Sequence, residues 1–207
     1  MKKGLRLFAV ISFMLFFTAC SRNQDSGRQV KTDTVQSKTE NTYQTNLNDS
    51  NSSKLSFEGL SLRIPPEFGG PSPESKGNTQ YFYLPITENN KIVMLLIEQE
   101  DVNATTEQFE KQRGDFVSSF LKAINNSELK ERKSVIIAGL PGERFLAEGK
   151  VEGLPCLFDV AMAFSESNKK AYIIGIGTVQ KDIQEYRATL DSILGSASVS
   201  SDMAYEF

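Results

Sequence analysis

The 207-residue chain has no His, no Trp and only 2 Cys. The absence of His removes the commonest general base and the commonest metal ligand. Cys/His zinc sites and imidazole-dependent triads are therefore excluded. Charge is nearly balanced, with 23 Lys+Arg against 26 Asp+Glu. No phosphate-binding or dinucleotide fingerprint is complete. Ile174-Gly175-Ile176-Gly177-Thr178 lacks a third spaced Gly, and its glycines fall inside a strand pattern instead of after it. Those glycines read as room for a helix packed against the sheet. Glu98-Gln99-Glu100-Asp101 lacks the spacing and Gly of a calcium loop. No cofactor and no metal is expected.

The first twenty residues carry a strong signal. Met1 to Arg6 holds three positive charges, and Leu7 to Phe17 is apolar except for Ser12. This run is too short to span a bilayer, which needs roughly 20 apolar residues. It reads as an export signal. Phe17-Thr18-Ala19-Cys20 resembles the lipobox of bacterial lipoproteins. The resemblance implies cleavage after residue 19, diacylglycerol on Cys20, and an extracytoplasmic location on the cell membrane or outer membrane. Phe17 stands where Leu is usual. An ordinary secretory signal is the alternative, although Phe17 is too large for an ordinary cut before Cys20. Loss of residues 1–19 takes Lys+Arg from 23 to 20 against 26 Asp+Glu, a balance of −6. That balance argues against nucleic acid as a partner.

Residues 20–53 read as the lipidated Cys and a disordered tether. Ser, Thr, Asn and Gln supply 20 of the 33 residues from Ser21 to Ser53. Val30, Val35, Tyr43 and Leu47 are too few to offset the entropy of ordering. As a coil the segment would span on the order of 30 Å. Residues 54–197 form one globular domain by length and apolar content, and residues 198–207 read as a tail. Cys156 is left as a lone thiol in an apolar alternation, a buried small hydrophobe.

Within the domain, Leu55–Phe57 and Leu60–Ile64 flank Glu58-Gly59 as a hairpin, ended by Pro65-Pro66. A Gly/Pro loop follows, then a strand from Tyr81. Lys91–Glu98 is apolar on both faces and reads as a central strand. Thr105-Thr106-Glu107-Gln108 fits a capping box. It opens a helix whose stripe is Phe109, Phe116, Val117, Phe120, Leu121 and Ile124. Strands are expected over Leu129–Ala138, Glu143–Lys150, Leu154–Phe164 and Ala171–Val179. The turns between the first three are Gly139-Leu140-Pro141-Gly142 and Glu152-Gly153, and Asn168-Lys169 turns into the last. In the third strand Cys156, Phe158, Val160, Met162 and Phe164 make an apolar face. Asp159, Ala161 and Ala163 make a face of small side chains. A final helix runs from Ile183 to Gly195. The expected fold class is α+β, an antiparallel β-sheet flanked by helices on both faces.

The Phe57-Glu58-Gly59-Leu60-Ser61-Leu62-Arg63-Ile64-Pro65 hairpin, the Gly139-Leu140-Pro141-Gly142 turn and the Ala171-Tyr172-Ile173-Ile174 strand carry a family resemblance. With the helix containing Leu190, Ser192 and Ile193, this order resembles the PsbP family and its relatives Mog1 and DcrB. The resemblance implies a sheet between helices and a binding or assembly module in place of an enzyme. It transfers no site residue.

Candidate binding residues are Phe68, Tyr81 and Tyr83, aromatic side chains beside the Gly/Pro loop. The partner would be an envelope protein or ligand. A second reading is a carrier of a small apolar or amphiphilic ligand, in a cavity lined by Tyr81, Met94, Met162 and Phe164. A hydrolase or transferase built on carboxylates is the third. Asp159, a carboxylate among apolar neighbours, is the residue whose burial would raise its pKa unless an Arg or Lys pairs with it. A homodimer through an exposed strand edge is a further possibility.

Overall fold

The computed structural model describes residues 43–57, 59–84, 93–151, 154–178 and 184–200. Cys20, the export signal, Glu58, Glu152-Gly153, Ile183 and the tail beyond residue 200 lie outside these residues. The elements are β1 (Ser53–Phe57), β2 (Leu60–Ile64), β3 (Thr79–Tyr83), β4 (Val93–Asp101) and α1 (Thr106–Ala123). They continue with β5 (Asn125–Ile137), β6 (Leu140–Val151), β7 (Leu154–Ser165), β8 (Lys170–Thr178), α2 (Gln184–Gly195) and β9 (Ser198–Val199).

A six-stranded sheet has the order β3-β4-β8-β7-β6-β5, and a three-stranded sheet the order β1-β2-β9. Every pairing is antiparallel. The doubly apolar segments are indeed central: β4 and β8 lie side by side, and all nine residues of β8 are buried. Side chains alternate across each strand, so the large sheet feeds two cores. Cys156, Phe158, Val160, Met162 and Phe164 of β7 enter the core under α1. Ala161 and Ala163 enter the core under α2, with Tyr186, Leu190, Ile193 and Leu194. Leu60, Leu62 and Ile64 of β2 join that second core, so α2 and the small sheet together cover one face. The expected α+β sandwich with helices on both faces is the observed fold.

The start of α1 follows its local code. The Thr105 hydroxyl accepts from the Gln108 N–H at 3.2 Å, and the Gln108 side chain accepts from the Thr105 N–H at 2.8 Å. Glu166, on the β7–β8 turn, accepts from the Thr106 N–H at 2.8 Å and its hydroxyl at 2.7 Å. Thr105→Ala is expected to lower stability by about 1 kcal/mol, read as a shift in urea midpoint, because an orphaned helix N–H loses its acceptor.

Four expectations are corrected. The β5–β6 turn is Ala138-Gly139 alone, and Leu140, Pro141 and Gly142 already pair with Ile137, Ile136 and Val135. Ala138 and Gly139 both have positive φ, at 52° and 79°, the two-residue turn that matches strand twist. Strand β5 begins at Asn125, not Leu129. Its first residues are exposed on both faces and give no alternation, and its register shifts twice before Glu131. Gly175 and Gly177 make room for the neighbouring strand and not for a helix. A Cβ at Gly177 would stand 3.2 Å from the Phe158 ring, and one at Gly175 would stand 3.1 Å from Val160.

The fourth correction concerns the segments flanking the domain. Tyr43 and Leu47, placed in the tether from sequence, pack against the α2-side core. A Cβ at Gly195 would lie 2.6–2.8 Å from the backbone of Gln44 and Thr45, so only glycine lets this strap lie so close. Asp49 pairs with Arg63 at 2.5 Å. Ser198 and Val199, placed in the tail, pair with Ser61 and Leu60. Ser200 donates its N–H to the Gly59 carbonyl at 2.9 Å, and its own carbonyl accepts from Asn168 Nδ2 at 3.1 Å.

Candidate functional site

Strand β6 places Glu143 and Arg144 next to each other, so their side chains enter opposite faces of the sheet. Both are buried. Arg144 donates from Nε to Asp159 Oδ1 at 2.7 Å and from its terminal nitrogen to Asp159 Oδ2 at 2.8 Å. Its other terminal nitrogen donates to Asp191 on α2. Arg187 of α2 forms an ion pair with Asp159, Nε to Oδ2 at 3.1 Å, and donates to Glu131 at 2.8 and 2.6 Å. The Tyr43 ring of the strap lies 5.5 Å from the Arg144 guanidinium carbon, in cation–π range. On the opposite face, Glu143 accepts from Arg132 and forms an ion pair with Arg113 Nε at 3.1 Å, and Arg113 also pairs with Glu110 at 2.8 Å.

These groups are committed to one another. Burial alone would lower the pKa of Arg144, but its bonds to Asp159 outweigh that and hold it above its ordinary value. Bonds from Arg187 hold Glu131 below the usual carboxylate range, so that pair stabilises the fold above that range and fades as pH falls through the lowered value. The carboxylate singled out as a candidate acid or base, Asp159, is 1% exposed, accepts two N–H bonds from the Arg144 guanidinium and forms an ion pair with Arg187. Guanidinium groups do not exchange protons near neutral pH. The cluster therefore ties β6, β7, β5 and α2 together and offers no proton-transfer pair. Cys156 is buried, and burial pushes its thiol pKa up, which leaves little thiolate to act as nucleophile.

The three aromatic candidates separate. Phe68 is buried in the α2-side core with Phe82. Tyr81 is buried in the α1-side core. Tyr83 is half-buried and donates its hydroxyl to Glu74 at 3.2 Å. Burial, then the Glu74 charge, push its pKa up. Tyr83 is the one of the three that reaches the surface, next to a loop whose Gly69, Gly70 and Pro71 are exposed. The loop itself is held against β3. Ser72 N–H donates to the Tyr81 carbonyl at 2.7 Å, and Ser75 Oγ accepts from the Tyr81 N–H at 2.9 Å. It thereby covers that edge of the large sheet.

Tyr81, Met94, Met162 and Phe164, the residues expected to line a ligand cavity, do share one core. Side chains of α1 stand against them. Phe109 stacks on Phe164 with centroids 4.7 Å apart, and Phe120 meets Phe145 and Phe158 edge-on at 5.2 and 5.6 Å. The carrier reading needs that same space.

The opposite edge of the large sheet is β5, and sequence reasoning did not identify it. Leu129 to Ser134 is exposed throughout, and Ile136 is 40% exposed. Among the described residues no helix is long and apolar enough to cross a membrane, and no three metal-ligating side chains converge.

No family model and no curated protein matches the chain. Solved structures do. LpqN of Mycobacterium tuberculosis, described as involved in cell envelope biogenesis, matches with a TM-score of 0.54 at 8% identity. The match covers 72% of this chain and 85% of LpqN. The Ran-binding protein Mog1p of Saccharomyces cerevisiae matches at a TM-score of 0.47 and 11% identity, over 72% and 95% of the two chains. Cyanobacterial PsbP from Synechocystis matches at 0.46 and 9%, over 75% and 96%. The likeness is one of fold, an antiparallel sheet between helices.

Proposed function

We propose that this chain is a lipid-anchored extracytoplasmic protein whose domain is a non-catalytic binding or assembly module for a protein or envelope partner. The observation that carries the non-catalytic reading is Asp159. Its two oxygens are each engaged by Arg144, and Arg187 adds an ion pair, with the Tyr43 ring over the Arg144 guanidinium. The lipobox-like Phe17-Thr18-Ala19-Cys20 supports the anchor. The fold shared with LpqN, itself described as involved in envelope biogenesis, supports the setting. In this reading the tether meets the domain on the α2 face, where Tyr43 and Leu47 pack. The β3 edge with Tyr83 and its loop is the partner-facing surface in this reading.

The test is a photo-cross-linking side chain placed at Pro71 or Tyr83 in living cells, with Lys111 on α1 as control. A discrete adduct from Pro71 and Tyr83 but not Lys111 is expected. Equal labelling from all three positions, or none, contradicts this surface.

A further inference from the structure

The two edges of the large sheet are treated differently. The β3 edge is covered by its own loop, while β5 stands at the end of the sheet with β6 as its one strand neighbour among the described residues. The Ala138-Gly139 turn fixes which backbone groups are free. A two-residue hairpin closes on a doubly hydrogen-bonded pair, here Ile137 with Leu140. Bonded pairs then recur at every second residue, at Val135, Lys133 and Glu131. The N–H and C=O groups of Arg132, Ser134 and Ile136 therefore point away from β6. Their side chains lie on the α1 face, where Arg132 is held by Glu143 and Ile136 is exposed.

The half of β5 before Glu131 is unsuited to a further strand. It carries two register shifts and a positive φ at Asn126. Bulges of this kind block pairing. Glu131–Ile137 is regular and open. We propose that two copies of this chain associate through these segments, antiparallel and centred on Ser134, to make one continuous sheet.

The charge pattern selects that occupant and that register. Centred on Ser134, Ser134 faces its own copy, Arg132 faces Ile136, Lys133 faces Val135 and Glu131 faces Ile137. No like charges stand opposite each other, and the Arg132 stem covers Ile136, which is otherwise exposed. Val135 and Ile137 are buried in their own cores, so the Glu131 and Lys133 heads keep their access to water. Moving the centre to Arg132 sets two guanidinium groups against each other, which costs stability. A two-fold axis through Ser134 makes the patch self-complementary, as a symmetric dimer requires.

The test is Ser134→Cys in the full-length protein in its own membrane, under mild oxidation. Cys156 is buried, so the introduced thiol is the reactive one among the described residues. In a bonded antiparallel pair the Cα atoms lie about 5.5 Å apart, inside the disulfide range. A disulfide-linked dimer is expected, and Lys111→Cys on α1 should give none. Adding Ile136→Pro removes an outward N–H without touching the β5–β6 ladder, and should cut the dimer roughly tenfold or more. Retention of the melting transition in that variant shows that the loss is not unfolding. A monomer from Ser134→Cys, a dimer insensitive to Ile136→Pro, or linkage to a different polypeptide overturns the proposal.

Discussion

Asp159→Ala is expected to destabilise the protein by about 3–5 kcal/mol, the range for a buried charge that loses its partner. Arg144 stays in place, 3% exposed, with two of its donors unmatched. Asp191 remains as a half-exposed partner and cannot replace a bidentate acceptor under the sheet. Arg187 loses one contact and keeps Glu131. The companion variant separates the pair from its packing. Arg144→Met with Asp159→Leu removes both charges at similar volume, and such exchanges are often neutral or stabilising. Urea unfolding followed by circular dichroism should therefore show the double variant well above Asp159→Ala. If the single variant matches the wild type, Asp159 is not holding Arg144 and the committed-network account fails.

Phe145→Ala is expected to cost about 3–5 kcal/mol, the transfer and cavity cost of losing a core aromatic ring. Phe145 lies under α1, where it meets Phe120 edge-on at 5.2 Å and Phe116 at 6.2 Å. Its removal opens a void between sheet and helix that Ala147 and Phe158 are too constrained by their strands to fill. The same urea experiment checks it. The variant also probes the carrier reading. A carrier would already hold a cavity there in the wild type, and a loss below about 1 kcal/mol would indicate an interior open enough to absorb the change.

Much of the fold was legible because its signals are local. The Thr105–Gln108 capping box needs only four residues, and it forms as read. The doubly apolar runs that became β4 and β8 need only a hydropathy pattern. The alternation in β7 placed Cys156, Phe158, Val160, Met162 and Phe164 on one face and Ala161 and Ala163 on the other. The failures are non-local. Asp159 is paired by Arg144, 15 residues away, and by Arg187 on the helix packed over that face, a meeting set by register and packing and not by spacing. Phe68 and Tyr81 are near in sequence, yet strand alternation puts Tyr81 on the α1 face and Phe82, with Phe68, on the other. Tyr43 and Leu47 are too sparse to announce a packed segment. Their site exists because Gly195, on a helix far along the chain, has no side chain in the way.

The β5 edge was hidden for a related reason. Its exposed, charged residues read as an ordinary hairpin strand. Which of them face outward follows only from the Ala138-Gly139 turn, and the sequence pattern had suggested a four-residue turn there.

The central claim is a lipid-anchored, processed extracytoplasmic protein. The most direct measurement is the intact mass of the protein extracted from membranes with detergent, compared with Cys20→Ser. The account predicts a wild-type chain beginning at Cys20, with residues 1–19 absent and an added diacylglycerol-containing mass. In Cys20→Ser that added mass is absent and the protein no longer fractionates as a processed lipoprotein. A wild-type chain that retains its first residues, or one that begins elsewhere and carries no lipid, would contradict it.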